Sequence, residues 1–252
     1  MKYYYDLHIH SCLSPCADAD NTPNNIAGMA KVCGLDIIAL TDHNSCKNCP
    51  AFFEACQRYG VIPIAGMELT TSEDVHLVCL FPTLGKAMEF DKEIENHRMP
   101  IKNRPVLFGE QLIMNGEDEI IGTETALLSY ATDISVDDAP KLVKGFGGIC
   151  YPAHIDRDSN GIIAVLGTVP SHVGFTCYEL RNPQLADEIS RRHRLDGMPM
   201  ISSSDAHYLE NLNERINYFS FDGELDNQGI VNALFCLLGQ KNAKENLAEQ
   251  GE

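Results

Sequence analysis

Short apolar runs alternating with helix signals constrain this chain more than any other feature. Residues 35–41, 61–68, 75–81 and 149–152 are almost continuous in aliphatic and small side chains. Runs of that length without polar alternation suit strands covered on both faces, as in α/β sheets wrapped by helices. Thr22-Pro23 is a capping residue followed by proline at the first helical position, and Gly34 marks where that helix should stop. Further helices are expected near 50–59, 87–97, 139–146, 162–166, 184–195 and 228–238. Further strands are expected at 3–9, 175–180, 199–203 and 217–221. The alternation predicts an α/β fold, a distorted βα barrel of about seven strands. A doubly wound open sheet is the alternative, but no glycine-rich phosphate loop follows the first strand.

Between about 85 and 132 the rhythm breaks. Residues 111–114 and 119–121 flank an Asn115-Gly116 step, a strong hairpin signal. This segment is expected to be an insertion within one barrel domain spanning 1–240, with 241–252 a polar tail.

Bulk properties exclude several classes. Hydrophobic residues make up 44% of 252 positions, enough for a sizeable core and too many for a disordered chain. No run approaches the roughly 20 apolar residues of a membrane span. Met1-Lys2 leads straight into a strand without a secretory pattern, so a cytoplasmic protein with reduced cysteines is expected. The formal charge of −17 is the wrong sign for wrapping long duplex nucleic acid. It does not exclude a small anion that meets a metal cluster.

The polar residues of interest sit at strand ends. His8 and His10, one residue apart, share a face of the first strand. Asp42-His43 ends the second, Glu68 the third, and His76 lies on the fourth. His154 and the co-facial pair Asp205 and His207 end later strands. Six of the nine histidines fall in such places; His97, His172 and His193 do not. A single strand histidine is more often a satisfied core residue than a ligand. Burying six imidazoles with several carboxylates, unpaired, would cost several kcal/mol per group. A metal site is the economical reading, and barrel enzymes place such sites on one rim. Mixed imidazole and carboxylate donors suit Zn, Mn or Fe(II) over Ca or Mg.

Asp6-Leu7-His8-Ile9-His10-Ser11, Thr41-Asp42-His43, Gly66-Met67-Glu68, Pro152-Ala153-His154 and Ser204-Asp205-Ala206-His207 resemble, in order, the motifs of the PHP (polymerase and histidinol phosphatase) superfamily. The inserted segment is similar to that of small stand-alone PHP phosphoesterases acting on nucleotides and short oligonucleotides. The resemblance implies a distorted seven-stranded barrel holding two or three divalent ions (Zn, Mn or Fe) and a nucleophilic water rather than a nucleophilic side chain. It assigns His8, His10 and Asp205 to one ion, Glu68 as the bridge, His76 and His154 to a second, and His43 and His207 to a third. The family's aspartate for the third ion falls in the irregular stretch Ser14 to Asp20, where Asp18 takes the role and Asp20 is its rival.

Other residues carry weaker signals. Arg157, three positions past His154, could clamp a substrate phosphate, or it could pair with Asp156 or Asp158 on the surface. Arg181 and Lys47 are lesser candidates. Asp42 could orient a ligand or serve structure alone. Cys12-x3-Cys16 and Cys46-x2-Cys49 have zinc-compatible spacing, but reduced thiols packing the loops are the preferred reading. The expected function is a metal-dependent phosphoesterase with a small phosphorylated substrate. A histidinol-phosphatase-like enzyme and a non-catalytic metal-binding module are its rivals. An amidohydrolase would want a bridging lysine that no strand end supplies.

Overall fold

The computed structural model describes residues 1–239; the expected polar tail lies outside them. Ten strands and eight α-helices are formed: β1 (Lys2–Ile9), α1 (Pro23–Cys33), β2 (Ile37–Leu40), α2 (Cys49–Tyr59), β3 (Ile62–Thr70), β4 (His76–Phe81), α3 (Leu84–Ile94), α4 (Pro105–Phe108), β5 (Leu112–Met114), β6 (Ile120–Thr123), α5 (Ala139–Gly145), β7 (Ile149–Pro152), α6 (Ile162–Leu166), β8 (Tyr178–Glu179), α7 (Ala186–His193), β9 (Met200–Ile201), β10 (Tyr218–Ser220) and α8 (Asn227–Gly239). The first helix obeys its local signals: Thr22 accepts from the Asn25 N–H, and Gly34 closes it in the left-handed conformation.

The expected seven-stranded barrel needs correction. The continuous ladder has six strands in the order β10-β1-β2-β3-β4-β7, curled into part of a barrel. β8 and β9 form a separate parallel pair of two residues each, too short to extend the ladder. Single contacts tie that pair to the ladder's two sides. The Ile155 N–H donates to the Glu179 carbonyl at 2.9 Å, and the His10 N–H donates to the Ala206 carbonyl at 2.9 Å. β4 is antiparallel to both β3 and β7. The loop between β3 and β4 holds no helix, so β4 turns straight back, and His76 at its start lies opposite Thr70 at the end of β3. That reversal is what brings His76 to the rim.

Side chains sort by strand parity into two cores. Tyr5, Leu7, Ile37, Ile64, Val78 and Tyr151 face inward, together with Ile230, Leu234 and Leu238 of α8. Ile38, Leu40, Met67 and Cys79 face outward, under Ile26 of α1, Phe52 of α2 and Phe90 of α3. β1 breaks its alternation: its register with β2 shifts between Asp6 and Ile9. Leu7 belongs to the inner core while Ile9 joins the outer one. The bulge therefore turns His8 and His10 inward above Leu7, where strict alternation would have faced them outward.

The segment from 85 to 132 leans on the rim loops. The Leu112 N–H donates to the Cys12 carbonyl at 2.9 Å, and Asn44 Nδ2 donates to the carbonyls of Leu128 and Tyr130. Gly66, two residues before Glu68, has no room for a side chain. A Cβ there would sit 2.8 Å from the Cys79 carbonyl oxygen and 2.9 Å from Thr41 Cγ2. Gly66→Ala should destabilise the fold by roughly 1–3 kcal/mol, read as a lower urea midpoint; an unchanged midpoint would show that β3 and β4 can separate freely.

Candidate metal centre

Glu68 is the hub. It is 1% exposed, and five imidazole nitrogens surround its carboxylate. Oε1 lies 3.2 Å from His8 Nε2, 2.9 Å from His76 Nδ1 and 3.1 Å from His154 Nε2. Oε2 lies 3.4 Å from His10 Nε2 and 3.0 Å from His43 Nδ1. Burial raises the carboxyl pKa, but the imidazoles, His76 and His8 foremost, hold it well below the usual carboxylate range.

Asp205 closes the site from the far end of the chain. Its Oδ1 is 3.5 Å from His8 Nε2 and 3.3 Å from His10 Nε2, and those two nitrogens are 3.2 Å apart. Donors around one tetrahedral ion with bonds of ~2.0–2.1 Å lie ~3.3 Å from each other, so this spacing suits a shared cation. Three groups have ligand atoms within 4.8 Å of one another: His8, His10, Glu68 and Asp205; His43, Glu68 and His76; and His10, His43 and His207. Four buried polar atoms in the cluster have no hydrogen-bond partner: His43 Nδ1, Glu68 Oε2, His154 Nδ1 and Asp205 Oδ1. Orphaned atoms of this kind are costly in a protein interior and fit ligands of a cation. The donor set thus fits the divalent ions expected from the sequence.

Backbone strain accompanies the site. His154 and Asp205 adopt positive φ angles of 28° and 52°. Non-glycine residues hold such values only where their surroundings enforce them. At His154 the turn aims the imidazole inward directly after Ala153, itself an inner-core residue.

Glu179 and Ser14, which hold the ligands, escaped the sequence reading. Glu179 is 1% exposed, and its carboxylate lies 3.0 and 3.2 Å from His8 Nδ1. It also accepts from the His154 N–H at 3.1 Å. Strand parity could have found it, since it shares the inward face of its strand with Cys177. Asp42 proves to be an orienter at one remove. It accepts from Ser11 and from Ser14 Oγ, at 2.7 Å, and Ser14 Oγ is 2.9 Å from His10 Nδ1. With the hydroxyl donating to Asp42, Ser14 accepts from His10 Nδ1–H and leaves Nε2 free for a cation. His207 Nδ1 likewise meets the Asp205 carbonyl at 2.8 Å.

The remaining expectations divide. Arg157 Nη1 donates to Asp205 Oδ2 at 2.9 Å, which places it at the rim rather than on Asp156 or Asp158. Lys47 pairs with Glu95 and Glu124 in the inserted segment, away from the ligands. Arg181 gives its backbone N–H to Asp156. Asp18 falls outside all three ligand groups. Its Oδ1 accepts from the Asp20 N–H, and its own N–H donates to the His207 carbonyl. Asp20 is exposed. The four loop cysteines form no common site among the described residues. Cys12 meets Asn48, and Cys46 and Cys49 face the Gly66 carbonyl. Cys16 is exposed.

Comparison with known proteins follows the same lines. The family model of the PHP domain matches residues 6–195. The PolC-type DNA polymerase III of Bacillus subtilis is 26% identical over 154 residues, covering 55% of this chain and 11% of the polymerase. The chain therefore spans only a small part of that relative. Among solved structures, the lesion-specific endonuclease PfuEndoQ of Pyrococcus furiosus superposes with a TM-score of 0.66 at 20% identity, over 96% of this chain and 58% of that one. A candidate metal-dependent phosphoesterase of Bifidobacterium adolescentis superposes with a TM-score of 0.55 at 18% identity, over 94% of this chain and 99% of that one. An Endonuclease Q has also been solved in complex with a 27-mer duplex carrying an abasic lesion at its active site, so the expected exclusion of duplex nucleic acid finds no support among these neighbours. No described helix is long and apolar enough to cross a membrane. A family match over most of the chain, with its ligand motifs drawn around one buried glutamate, makes this a member of the PHP domain family.

Proposed function

We propose that the chain is a metal-dependent phosphoesterase that hydrolyses a phosphate ester of a nucleotide or short oligonucleotide. One observation carries the reading: imidazole nitrogens of five histidines, more than one ion would use, lie within 3.4 Å of the buried Glu68 carboxylate, which makes it the group that ions could share. His8, His10 and Asp205 would hold one ion with Glu68. His76 and His154 would hold the second, and His43 and His207 a third. Bound divalent ions supply Lewis-acid activation of water and neutralise charge on phosphoryl oxygens. Glu179 and Ser14 keep protons on the Nδ1 atoms of His8 and His10, so that both Nε2 lone pairs face the cations. Glu68, held as a carboxylate by its imidazoles, is a ligand and not a general acid. Arg157, partly exposed beside Asp205, would meet a non-bridging phosphate oxygen.

Chelator treatment should abolish phosphate release from mononucleotides and cleavage of dinucleotides to mononucleotides, and added Mn or Zn should restore both. Metal-replete protein that hydrolyses nothing across such a panel would make the chain a metal-binding module instead. Glu179→Gln should weaken metal affinity about 10- to 100-fold through loss of His8 orientation, measured by competition with a chromophoric chelator. Arg157→Ala should raise KM roughly tenfold or more with metal content unchanged; an unaltered KM would remove Arg157 from the substrate site.

A further inference from the structure

The charge of this chain is unevenly spread. Seven of its 19 Lys and Arg residues, but only six of its 36 Asp and Glu, fall between 139 and 200. That stretch is near neutral in a protein of net charge −17. Four of its basic side chains stand in a row, Arg191-Arg192-His193-Arg194, at the end of α7. A helix dipole favours cations in its last turn, but it does not decide what they line.

Two adjoining cavities do. One, of about 230 Å³, runs along α7 from Leu185 to His193 and reaches Arg157. The other, of about 680 Å³, takes in Arg192, His193 and Arg194 together with the hydroxyl-bearing Thr168 and Ser171. Arg192 and His193 line both, and His193 Nδ1 lies 3.5 Å from Thr168 Oγ1 across the second. A path therefore leads from Asp205 at the metal centre to Arg157, 2.9 Å away, along the first cavity and into the second. The first also carries Asp156, Asp158 and Glu188, which makes it a passage rather than an anion site. No carboxylate lines the second among the described residues. Its cations are weakly engaged: Arg192 lies 3.8 Å from Glu188 Oε1, and Arg194 forms no ion pair among the described residues. Buried Val169, Phe175 and Leu195 add apolar lining. Free guanidinium groups beside an apolar wall, in a cavity of this size, suit one phosphate and the nucleoside attached to it.

We infer that the second cavity is a subsite for a distal phosphate of a substrate chain whose scissile ester lies at the metal centre. Arg192 and Arg194 would hold that phosphate, and Arg157 the one at the reacting end. The eight residues of α7 span about 12 Å, so the two phosphates would belong to different nucleotides. This rests on the phosphoesterase reading above and narrows it: the preferred substrate is an oligonucleotide rather than a mononucleotide.

Single-stranded oligonucleotides of two and five nucleotides, offered to the full chain, test this. Arg192→Ala combined with Arg194→Ala should raise the KM for the pentanucleotide about tenfold or more relative to that for the dinucleotide, with circular dichroism unchanged. Arg191→Ala should keep the wild-type ratio, because Arg191 lines neither cavity and gives its Nε–H to the Asp187 carbonyl at 3.0 Å. Fluorescence anisotropy of a labelled phosphorothioate pentanucleotide reads binding without turnover. The slope of log affinity against log salt should lose about 1.4 in the double variant, about 0.7 for each phosphate contact removed; a merely structural role for the arginines would leave it alone. An unaltered slope, or equal losses on both lengths, would overturn the subsite. So would inorganic phosphate that changes dinucleotide turnover in the wild type but not in the double variant, which would make the cavity a separate anion site. Binding that shows the change of slope, without hydrolysis of either oligonucleotide, would leave the subsite standing and remove only the phosphoesterase reading. Hydrolysis with an unaltered slope would do the reverse.

Discussion

The structure depends on one buried carboxylate. Glu68 sits at the end of a strand covered on both faces, with almost no access to solvent. A lone anion there would cost several kcal/mol. Imidazoles from four different strands converge on it, and their attraction exceeds the cost of burial. The arrangement satisfies neither partner completely: Glu68 Oε2 and Asp205 Oδ1 are left without hydrogen-bond donors. A polar cluster with that mixture of density and incompleteness is built around cations rather than around itself.

The rim loops are held from outside the barrel. Asn44, in the left-handed conformation at φ 46°, donates to Leu128 and Tyr130 and accepts from the Thr70 N–H. Arg98, largely buried, donates to the Asn44 carbonyl and to Asp91. Asp91 in turn accepts from the Cys46 N–H and from Ser45. Asp118 in the hairpin turn reaches Thr22 and Asn24 at the start of α1. The inserted segment is thus a brace for the loops that follow β1 and β2. Binding sites on loops need such a scaffold, because loops by themselves are mobile.

Much of this was legible because it is local. Thr22-Pro23 and Gly34 bound α1 through capping chemistry that needs no tertiary partner. The apolar runs read correctly as buried strands, and six histidines at their ends converge on one centre. What local reading could not supply was non-local. Asp18, chosen by counting back from α1, lies outside the three ligand groups, and its Oδ1 takes the Asp20 N–H. Glu179 was passed over because a single acid in a short strand carries no signal until its inward neighbours are known. The seven-strand count overran because residues 175–180 and 199–203 pair over only two residues each.

The sequence by itself determined the α/β class, the boundaries of α1 and the histidines that gather around Glu68. Each of these follows from residue type and spacing within a few neighbours. Tertiary structure decided which way the donors face and which of them meet. The bulge between Asp6 and Ile9 turns His8 and His10 inward, and the reversal of β4 carries His76 to the rim. Strand pairing alone brings Asp205 to the side of His8, 197 residues earlier. A side chain's face is set by register, and register is a property of two strands, so no single stretch of sequence could have fixed it.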